Sequence, residues 1–486
     1  MTAAPSSPPA RLARALLLAA LALSAFYLGA LLWTDGQRIP MHHPFTGIEP
    51  QPVWGAQRVA RGLPLYTPWD RAAPHVPLTY GPLAYLLPGF IARAVGRVDA
   101  ASVMHIGRAV SALGTLAVAW LLAALARARG RGGVFAALAA LPLVWFPYPM
   151  EWSARFAPDT LALALSLGGL AAVQRRRGGL AGALWAASAL VKPTAFVGPL
   201  LALLDARRAR SPGALPRAVA VGAGVLGVAL LALTLRTAGL WRSHLVDAMS
   251  VCAYAPRYAV ATLQNLGPAG AVALLALVGA ALAEGDTEDR IAVLSTASLE
   301  LALSCKQGSN VNYLLGTIAL SALVAAGAWE RAWRTRPSTV SILGLAALVA
   351  ALGFGAPEAP RVLREGVIPL HREVRVIAAR VAALPRARVL SLTPYFGMAH
   401  DLPILYADPY HANLLAQRGR VRFDDALARL RDGQYDAVVS DLPHHAPIVW
   451  HDGAYSPRAL TAALQARYVL KVRGRLLLLW EPRPAR

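Results

Sequence analysis

Three ionisable residues are placed where they could do chemistry beside a membrane: Glu49, Lys192 and Lys306. Glu49 follows the first long apolar run, and each lysine lies in a short polar turn between apolar runs; Lys471 is the chain's remaining lysine. A carboxylate near a membrane face can act as a general base toward a hydroxyl or bind a divalent ion. Two cations at that depth can hold the phosphate of a lipid.

Each of these residues also has a simpler interpretation. Glu49 alone is typical of an exposed loop acid, and both lysines can extend along apolar surface to reach water. Arg155 and Arg257 are weaker cation candidates of the same kind. Pro158 and Asp159 together are typical of a helix start, where a carboxylate meets the positive end of the helix dipole.

The composition indicates that membrane helices must position these residues. The chain of 486 residues is 56% hydrophobic and 15% charged, with mean hydropathy +0.46, whereas soluble domains carry about 25% charged residues. Much of the +22 formal charge lies in short basic runs between apolar segments. Such runs are typical of cytoplasmic loops, so we exclude a nucleic-acid surface. Two cysteines make no disulfide framework.

The apolar segments predict a polytopic α-helical membrane protein with about eleven crossings and a cytoplasmic N-terminus. The basic runs on either side of residues 178–204 both belong inside, yet that segment is too short for two full spans. We therefore predict a broken hairpin with Lys192–Pro193 at its outer apex. A single tilted helix is the alternative, and it would reverse the sidedness of everything that follows.

The domain division follows from a change in pattern near residue 357. Residues 1–356 form the predicted transmembrane domain, with a long first outer loop at 34–104. Short strand-like and helical stretches alternate in residues 357–486, which predicts a small α/β domain. The crossing count predicts that this domain lies on the outer, extracytoplasmic side of the membrane.

Several stretches, taken in order, resemble the GT-C superfamily of polyprenyl-phosphate-sugar-dependent glycosyltransferases, which includes protein mannosyltransferases and aminoarabinose transferases. The likeness covers residues 12–356 and is carried by GIEPQPVWGAQRVARGLPLY (47–66), LTYGPLAYLLPGFIARAVG (78–96), HIGRAVSALGTLAVAWLLAALAR (105–127), SARFAPDTLALALSL (153–167), GLAGALWAASALVKPTA (179–195) and KQGSNVNYLL (306–315). Glu49 stands where the superfamily has its first-loop catalytic acid. Many relatives have an aspartate or an Asp-Glu pair there, whereas Ile48 and Pro50 flank the acid here.

The resemblance implies a site for a lipid-linked sugar. Glu49 would deprotonate the acceptor hydroxyl or hold a divalent metal ion, and the resemblance specifies no other cofactor. The donor phosphate would contact Lys192, Lys306, Arg155 and Arg257, and the substrates would contact Tyr66, Tyr80, Asp159, Asn310 and Asn312.

The function implied is transfer of a sugar, with inversion, from a polyprenyl phosphate to a hydroxyl of a glycan, lipid or protein. The enzyme would be a multi-pass protein of a bacterial inner (plasma) membrane, in contact with membrane lipids. The alternatives are a transporter or flippase of a lipid-linked saccharide, which also uses broken helices and buried charges, and a scaffold for the outer α/β domain.

Overall fold

The structure is a computed structural model that describes residues 8–41, 49–71, 73–140, 153–208, 213–334, 339–355, 370–441, 458–474 and 477–484. His42 and His43 lie outside the described residues, as does part of the loop before Ser153.

Long apolar helices make up most of the first 355 residues. In chain order they are α1 Pro8–Arg38, α2 Pro50–Ala60, α3 Leu83–Ala94, α4 Ala100–Ala128, α5 Gly133–Ala140, α6 Asp159–Gln174, α7 Gly178–Val191, α8 Val197–Arg208, α9 Ala214–Thr237, α10 Pro256–Gln264, α11 Gly267–Glu284, α12 Thr287–Ser304, α13 Leu315–Arg334 and α14 Thr339–Gly355.

Among the described residues, four helices are long and apolar enough to cross a membrane: α1, α4, α9, and α13 with the turn before it. The bent pair α10–α11 makes a fifth if it counts as one span. Helix α6, helix α7 and most of helix α14 are apolar but shorter. The helices agree with the predicted polytopic architecture, while the number of about eleven crossings stays a prediction.

The predicted helix break at Lys192 is present. Helix α7 ends at Val191, and α8 begins at Val197. The indole nitrogen of Trp185 on α7 donates to the carbonyl of Ser166 on α6 at 3.1 Å, and the backbone nitrogen of Gly198 on α8 donates to the Ser166 hydroxyl at 2.8 Å. Both helices therefore pass the same point of α6, so the chain reverses direction at the break.

Residues 370–482 contain a small four-stranded sheet with flanking helices, as the alternating pattern predicted. The strands are β1 Val389–Ser391, β2 Ala437–Asp441, β3 Tyr468–Arg473 and β4 Leu477–Pro482, in the order β1-β2-β4-β3. Strands β1 and β2 are parallel, and the other two pairs are antiparallel. The helices are α15 Leu370–Ala382, α16 Pro394–Ala399, α17 Pro409–Gln417, α18 Asp424–Arg431 and α19 Arg458–Arg467.

The sheet region packs on the first loop. The backbone nitrogen of His75 donates to the carbonyl of Leu405 at 2.7 Å, and His75 bridges Tyr406 as a short parallel pair. The ring nitrogens of His75 also lie 2.7 Å from the Trp69 carbonyl and 3.2 Å from the Arg422 carbonyl. First loop and sheet region therefore lie on the same side of the helices.

Candidate active site

Glu49 is enclosed by protein immediately before α2. Its side chain is 0% exposed and is paired with Arg108 of α4, whose side chain is also 0% exposed. The Arg108 Nε and Nη2 atoms donate to the two Glu49 oxygens at 3.0 and 2.9 Å, and the Phe156 backbone nitrogen donates to Oε1 at 2.9 Å. A two-pronged pair of this kind fixes both partners in orientation. Glu49 thus ties α2 to α4 and to the segment that leads into α6.

A second carboxylate, Asp159, lines an open cleft together with Lys192, Glu300 and Asn312. Asp159 is the first residue of α6, and its Oδ1 accepts from Lys192 Nζ and, at 2.8 Å, from Asn312 Nδ2. The Asp159 side chain is 2% exposed and the Lys192 side chain 12%. The helix-start role predicted for Asp159 is therefore compatible with a place in the cleft.

Lys192 is oriented by its neighbours. It directly follows α7 as the C-cap residue, its backbone nitrogen donates to the Ser188 carbonyl, and its Nζ lies 4.6 Å from the centre of the Tyr313 ring. An ammonium over an aromatic face is attracted by the negative face of the ring. The Oδ2 of Asp159 and the Oδ1 of Asn312 are buried and accept no hydrogen bond from the described residues. Beside the Lys192 ammonium there are therefore two buried acceptors without a donor among the described residues.

Glu300 of α12 forms the inner wall of the cleft. Its carboxylate accepts from the backbone nitrogens of Gly316 and Thr317, at 3.0 and 2.8 Å, and from the Thr317 hydroxyl at 2.7 Å. These donors belong to the first turn of α13, where a negative charge is favourable. A Cβ at Gly316 would overlap Glu300 and Val197, so glycine permits this close approach.

Tyr80 and Tyr66 lie on the first-loop side. Burial, followed by the charge of Asp159, raises the pKa of the Tyr80 phenol well above its ordinary value, so Tyr80 remains a hydrogen-bond donor. Tyr66 is buried, with its ring edge-on to His244 at 5.1 Å between centres. Tyr66 therefore packs between the first loop, His244 and the cluster that includes Ala162 and Val191, while the charge of Asp159 reaches Tyr80.

The remaining predicted contacts are dispersed. Lys306 does not line the cleft; its backbone bridges Tyr254, and its side chain is half-buried. Arg257 is exposed and lies over the ring of its neighbour Tyr258. Asn310 accepts from its own neighbour Val311 and from Asn265 at 3.2 Å. Arg155 is buried, and its charge acts on Tyr80. The structure thus brings Lys192, Asp159 and Asn312 together, but not Lys306, Arg257 or Asn310.

The residues present do not fit a divalent metal at Glu49. Each of its oxygens already accepts from a guanidinium nitrogen, and that positive charge repels a cation. Within the described ranges, no group of three or more His, Cys, Asp and Glu side chains is arranged to hold a metal ion. We therefore derive no step through a metal.

Two important residues were not among the predicted contacts. Glu300 had a signal, because it is a lone acid in the apolar stretch 291–304 and such a residue is costly in a membrane. Arg108 was visible only as the arginine of the HIGRAV motif. Its partner Glu49 is 59 positions away, and no local pattern specifies a pairing at that separation.

One family model of known proteins matches part of the chain. The family model described as alpha-(1->6)-mannopyranosyltransferase, N-terminal domain, matches residues 61–207, a range that includes Asp159 and Lys192. No curated protein matches the chain by sequence.

Solved structures match over almost the whole chain. The crystal structure of ArnT from Cupriavidus metallidurans bound to undecaprenyl phosphate has a TM-score of 0.61 at 13% identity, covering 95% of this chain and 98% of that one. The crystal structure of the same protein in the apo state has a TM-score of 0.59 at 12% identity, covering 94% of this chain and 97% of that one. The arabinofuranosyltransferase AftD from Mycobacteria gives 0.53 at 16% identity, covering 97% of this chain and 40% of that one. These matches agree with the resemblance drawn from the sequence motifs, and they show that the chain shares the fold of the ArnT structures.

Proposed function

We propose that this protein is a membrane glycosyltransferase that moves a sugar from a polyprenyl-phosphate donor to an acceptor hydroxyl in the Asp159–Lys192 cleft. The observation that carries the proposal is the pairing of an ammonium with a carboxylate in the lining of an open cleft. One of the matched structures holds undecaprenyl phosphate, and we propose a lipid of this kind as the donor carrier.

Lys192 is the proposed phosphate ligand. Its ammonium has three N–H donors, and one of them is used on Asp159. A donor phosphate entering the cleft would compete with Asp159 for this cation. Phosphate binding would therefore draw Lys192 away and leave the Asp159 carboxylate available to a hydroxyl.

Asp159 is the proposed general base. It would take the proton of the acceptor hydroxyl as that oxygen attacks the anomeric carbon through an oxocarbenium-like state. The bond from the anomeric carbon to the phosphate oxygen breaks, and its electron pair leaves with the phosphate, whose charge Lys192 stabilises. Attack opposite the leaving group inverts the configuration.

The role of Glu49 as catalytic acid stays a prediction, and the geometry supports a different one. To reach a substrate, Glu49 would have to break two hydrogen bonds from Arg108 and one from the Phe156 backbone. Phe156 lies only three residues before Asp159. We propose that Glu49 is a positioning residue, which fixes the segment that presents Asp159.

The side of the membrane is also part of the proposal. Because basic runs favour the cytoplasmic side, we propose that the cleft, the first loop and the sheet region lie at the outer face of a plasma membrane. The acceptor would then be a glycan, lipid or protein of the cell envelope.

The test is transfer from undecaprenyl-phosphate mannose, or its arabinofuranose counterpart, to octyl α-mannoside by the purified protein in lipid nanodiscs. We expect Asp159→Asn to lower the rate at least about 100-fold, the usual contribution of a positioned base. Glu49→Gln is expected to lower the melting temperature as well as the rate, because it weakens a buried pair.

Two results would contradict the proposal. Normal transfer by Asp159→Asn would remove the assigned base. Movement of the donor lipid across proteoliposome membranes, without release of undecaprenyl phosphate, would favour a flippase instead.

A further inference from the structure

The carboxy-terminal end of α13 gathers arginine side chains from three segments. Arg331 and Arg334 lie in its last turn, where the helix dipole favours cations. Arg131 lies between α4 and α5, and Arg14 belongs to α1. Gly316, beside the cleft, and Arg331 are about 22 Å apart along α13 at 1.5 Å per residue. The arginines therefore lie well away from the cleft.

Arg131 packs its guanidinium group on the backbone of α13. A Cβ at Gly327 would lie 2.6 Å from both Cζ and Nη2 of Arg131, so glycine makes room for the guanidinium. The next residue, Gly132, donates from its backbone nitrogen to Glu330 Oε1 at 3.2 Å, and the same oxygen accepts from Arg334 Nη2 at 2.6 Å. The connection between α4 and α5 is therefore fixed on α13, and Glu330 Oε1 already serves two donors.

Arg14 approaches the same end of α13 from α1. Its Nη2 donates to the Trp333 carbonyl at 3.4 Å, and its Cζ lies 5.5 Å from the centre of the Trp333 ring. Phe135 of α5 meets the same ring edge-on, at 6.3 Å between centres. Trp333 therefore lies between the segment that carries Arg14 and the segment that carries Arg131.

The protein leaves both of these guanidinium groups incompletely satisfied. Arg14 and Arg131 are half-buried, and the buried Nε of each donates to no described residue. In the same region Arg129 Nη1 is paired with Asp289 Oδ1 at 3.2 Å. An unmade hydrogen bond at a charged, partly buried group is costly. Arg14 and Arg131 therefore favour an anion from outside the described part of the chain.

We propose that this end of α13 binds the headgroup phosphates of anionic phospholipids through Arg14 and Arg131. A guanidinium group can hold phosphate oxygens with two parallel hydrogen bonds. The basic runs at 127–131 and 331–336 predict that this end faces the cytoplasm, where basic pockets between membrane helices bind anionic headgroups. The inference is independent of the proposed function, because neither arginine lines the cleft.

The test is native mass spectrometry of the purified protein in detergent, titrated with dioleoylphosphatidylglycerol or dioleoylphosphatidylcholine. The phosphatidylcholine headgroup carries an ammonium that offsets its phosphate charge. We therefore expect wild type to bind phosphatidylglycerol at least about tenfold more tightly, the usual effect of a charge-assisted hydrogen bond.

Arg131→Gln and Arg14→Gln are each expected to weaken phosphatidylglycerol binding about tenfold and to leave phosphatidylcholine binding unchanged. Arg217→Gln is the matched control, because Arg217 is an exposed arginine near the start of α9, which follows another predicted cytoplasmic basic run. It removes the same charge and is expected to bind phosphatidylglycerol as wild type does. Melting temperatures without added lipid show whether each variant is folded, and Arg14→Gln decides the matter if Arg131→Gln is not.

Equal binding of the two lipids by wild type would overturn the proposal. So would a loss in Arg217→Gln as large as the loss in the folded Arg14→Gln or Arg131→Gln variant. Inorganic phosphate is the last probe: if it displaces phosphatidylglycerol at equal concentration, the site binds a free phosphate ion and the assignment to a lipid is wrong.

Discussion

Arg108 holds the fully buried Glu49 with two nitrogens, whereas Lys192 reaches Asp159 in the lining of a cleft. The first arrangement fixes a carboxylate, and in the second we propose that an incoming phosphate competes with Asp159 for Lys192. A buried ion pair contributes little when intact, because desolvation offsets the attraction, but removing one partner is costly. The two pairs therefore respond differently to substitution.

Arg108→Met is expected to lower the free energy of unfolding by about 3–5 kcal/mol, because it leaves Glu49 charged and buried. The double variant Glu49→Leu with Arg108→Met removes both charges. We expect its free energy of unfolding to fall by less than that of Arg108→Met alone. Thermal unfolding of the purified proteins in one detergent provides the comparison. A double variant less stable than Arg108→Met would show that the hydrogen bonds, rather than the unpaired charge, dominate.

Sequence reasoning at this scale found Lys192 and Asp159 but not their contact. A lysine beside a proline between apolar runs is visible locally, and so is a proline–aspartate helix start. That the two side chains meet depends on α7 running back along α6, a property of the packing. We predicted that Lys192 and Lys306 share one phosphate site, but only Lys192 lines the cleft. The position of Lys306 likewise depends on how the helices pack.

At the scale of elements, the first loop is attached to the hairpin and to the turn at 243–247. The Gly81 backbone nitrogen donates to the Val191 carbonyl at 3.0 Å. His244, 0% exposed, accepts from the Leu78 nitrogen at Nδ1 and donates from Nε2 to the Thr67 carbonyl, at 2.9 and 2.7 Å. The described part of the first loop is therefore held against the end of α7 and against residues 243–247.

Gly81→Ala tests the attachment to the hairpin. A Cβ at Gly81 would overlap the carbonyl oxygen of Leu190, so we expect a loss of at least about 1–3 kcal/mol in stability. Gly179→Ala in α7 is the matched control, because a Cβ there meets nothing within 4 Å, and a gain of about 0.4–1 kcal/mol is expected. Equal melting temperatures for the two variants would contradict this contact.

His244 makes the loop attachment sensitive to acid. Burial lowers its pKa from 6.5 to about 4, and the bonds to Leu78 and Thr67 require the neutral ring. Below pH 6.5 His244 becomes protonated in the unfolded chain, whereas in the folded chain it stays neutral until about pH 4. The free energy of unfolding therefore falls by about 3 kcal/mol as the pH drops across that window. His244→Gln is expected to show a shallower decline of melting temperature between pH 7 and 4. A decline as steep as in the wild type would contradict the assignment to His244.

At the scale of the whole molecule, the first loop, the cleft and the sheet region share one side of the helices. Composition and charge pattern predicted a polytopic protein, and alternating short segments predicted strands after residue 357. The packing of residues 404–411 on the first loop had no signal in the sequence, because it depends on contacts between segments more than 300 positions apart, such as His75 with Leu405.

Cysteine labelling tests this shared side. In a variant with Cys252 and Cys305 changed to serine, Arg97→Cys and Arg418→Cys report on the first loop and the sheet region, and Arg127→Cys on the other end of α4. We expect an impermeant maleimide to label the first two in intact cells and the third only after permeabilisation. Joint labelling of Arg418→Cys and Arg127→Cys would contradict the arrangement.

The most direct test of the account is the binding of undecaprenyl phosphate to the purified protein in nanodiscs. Wild type, Lys192→Met, Asp159→Asn and the double variant would be compared, with Lys471→Met as a control on an exposed lysine of β3. The account predicts at least about tenfold weaker binding without Lys192, from loss of a charge-assisted hydrogen bond. Asp159→Asn is predicted to bind as well as or better than wild type, because the carboxylate no longer competes for Lys192. Unchanged binding in both Lys192→Met and the double variant would contradict the account.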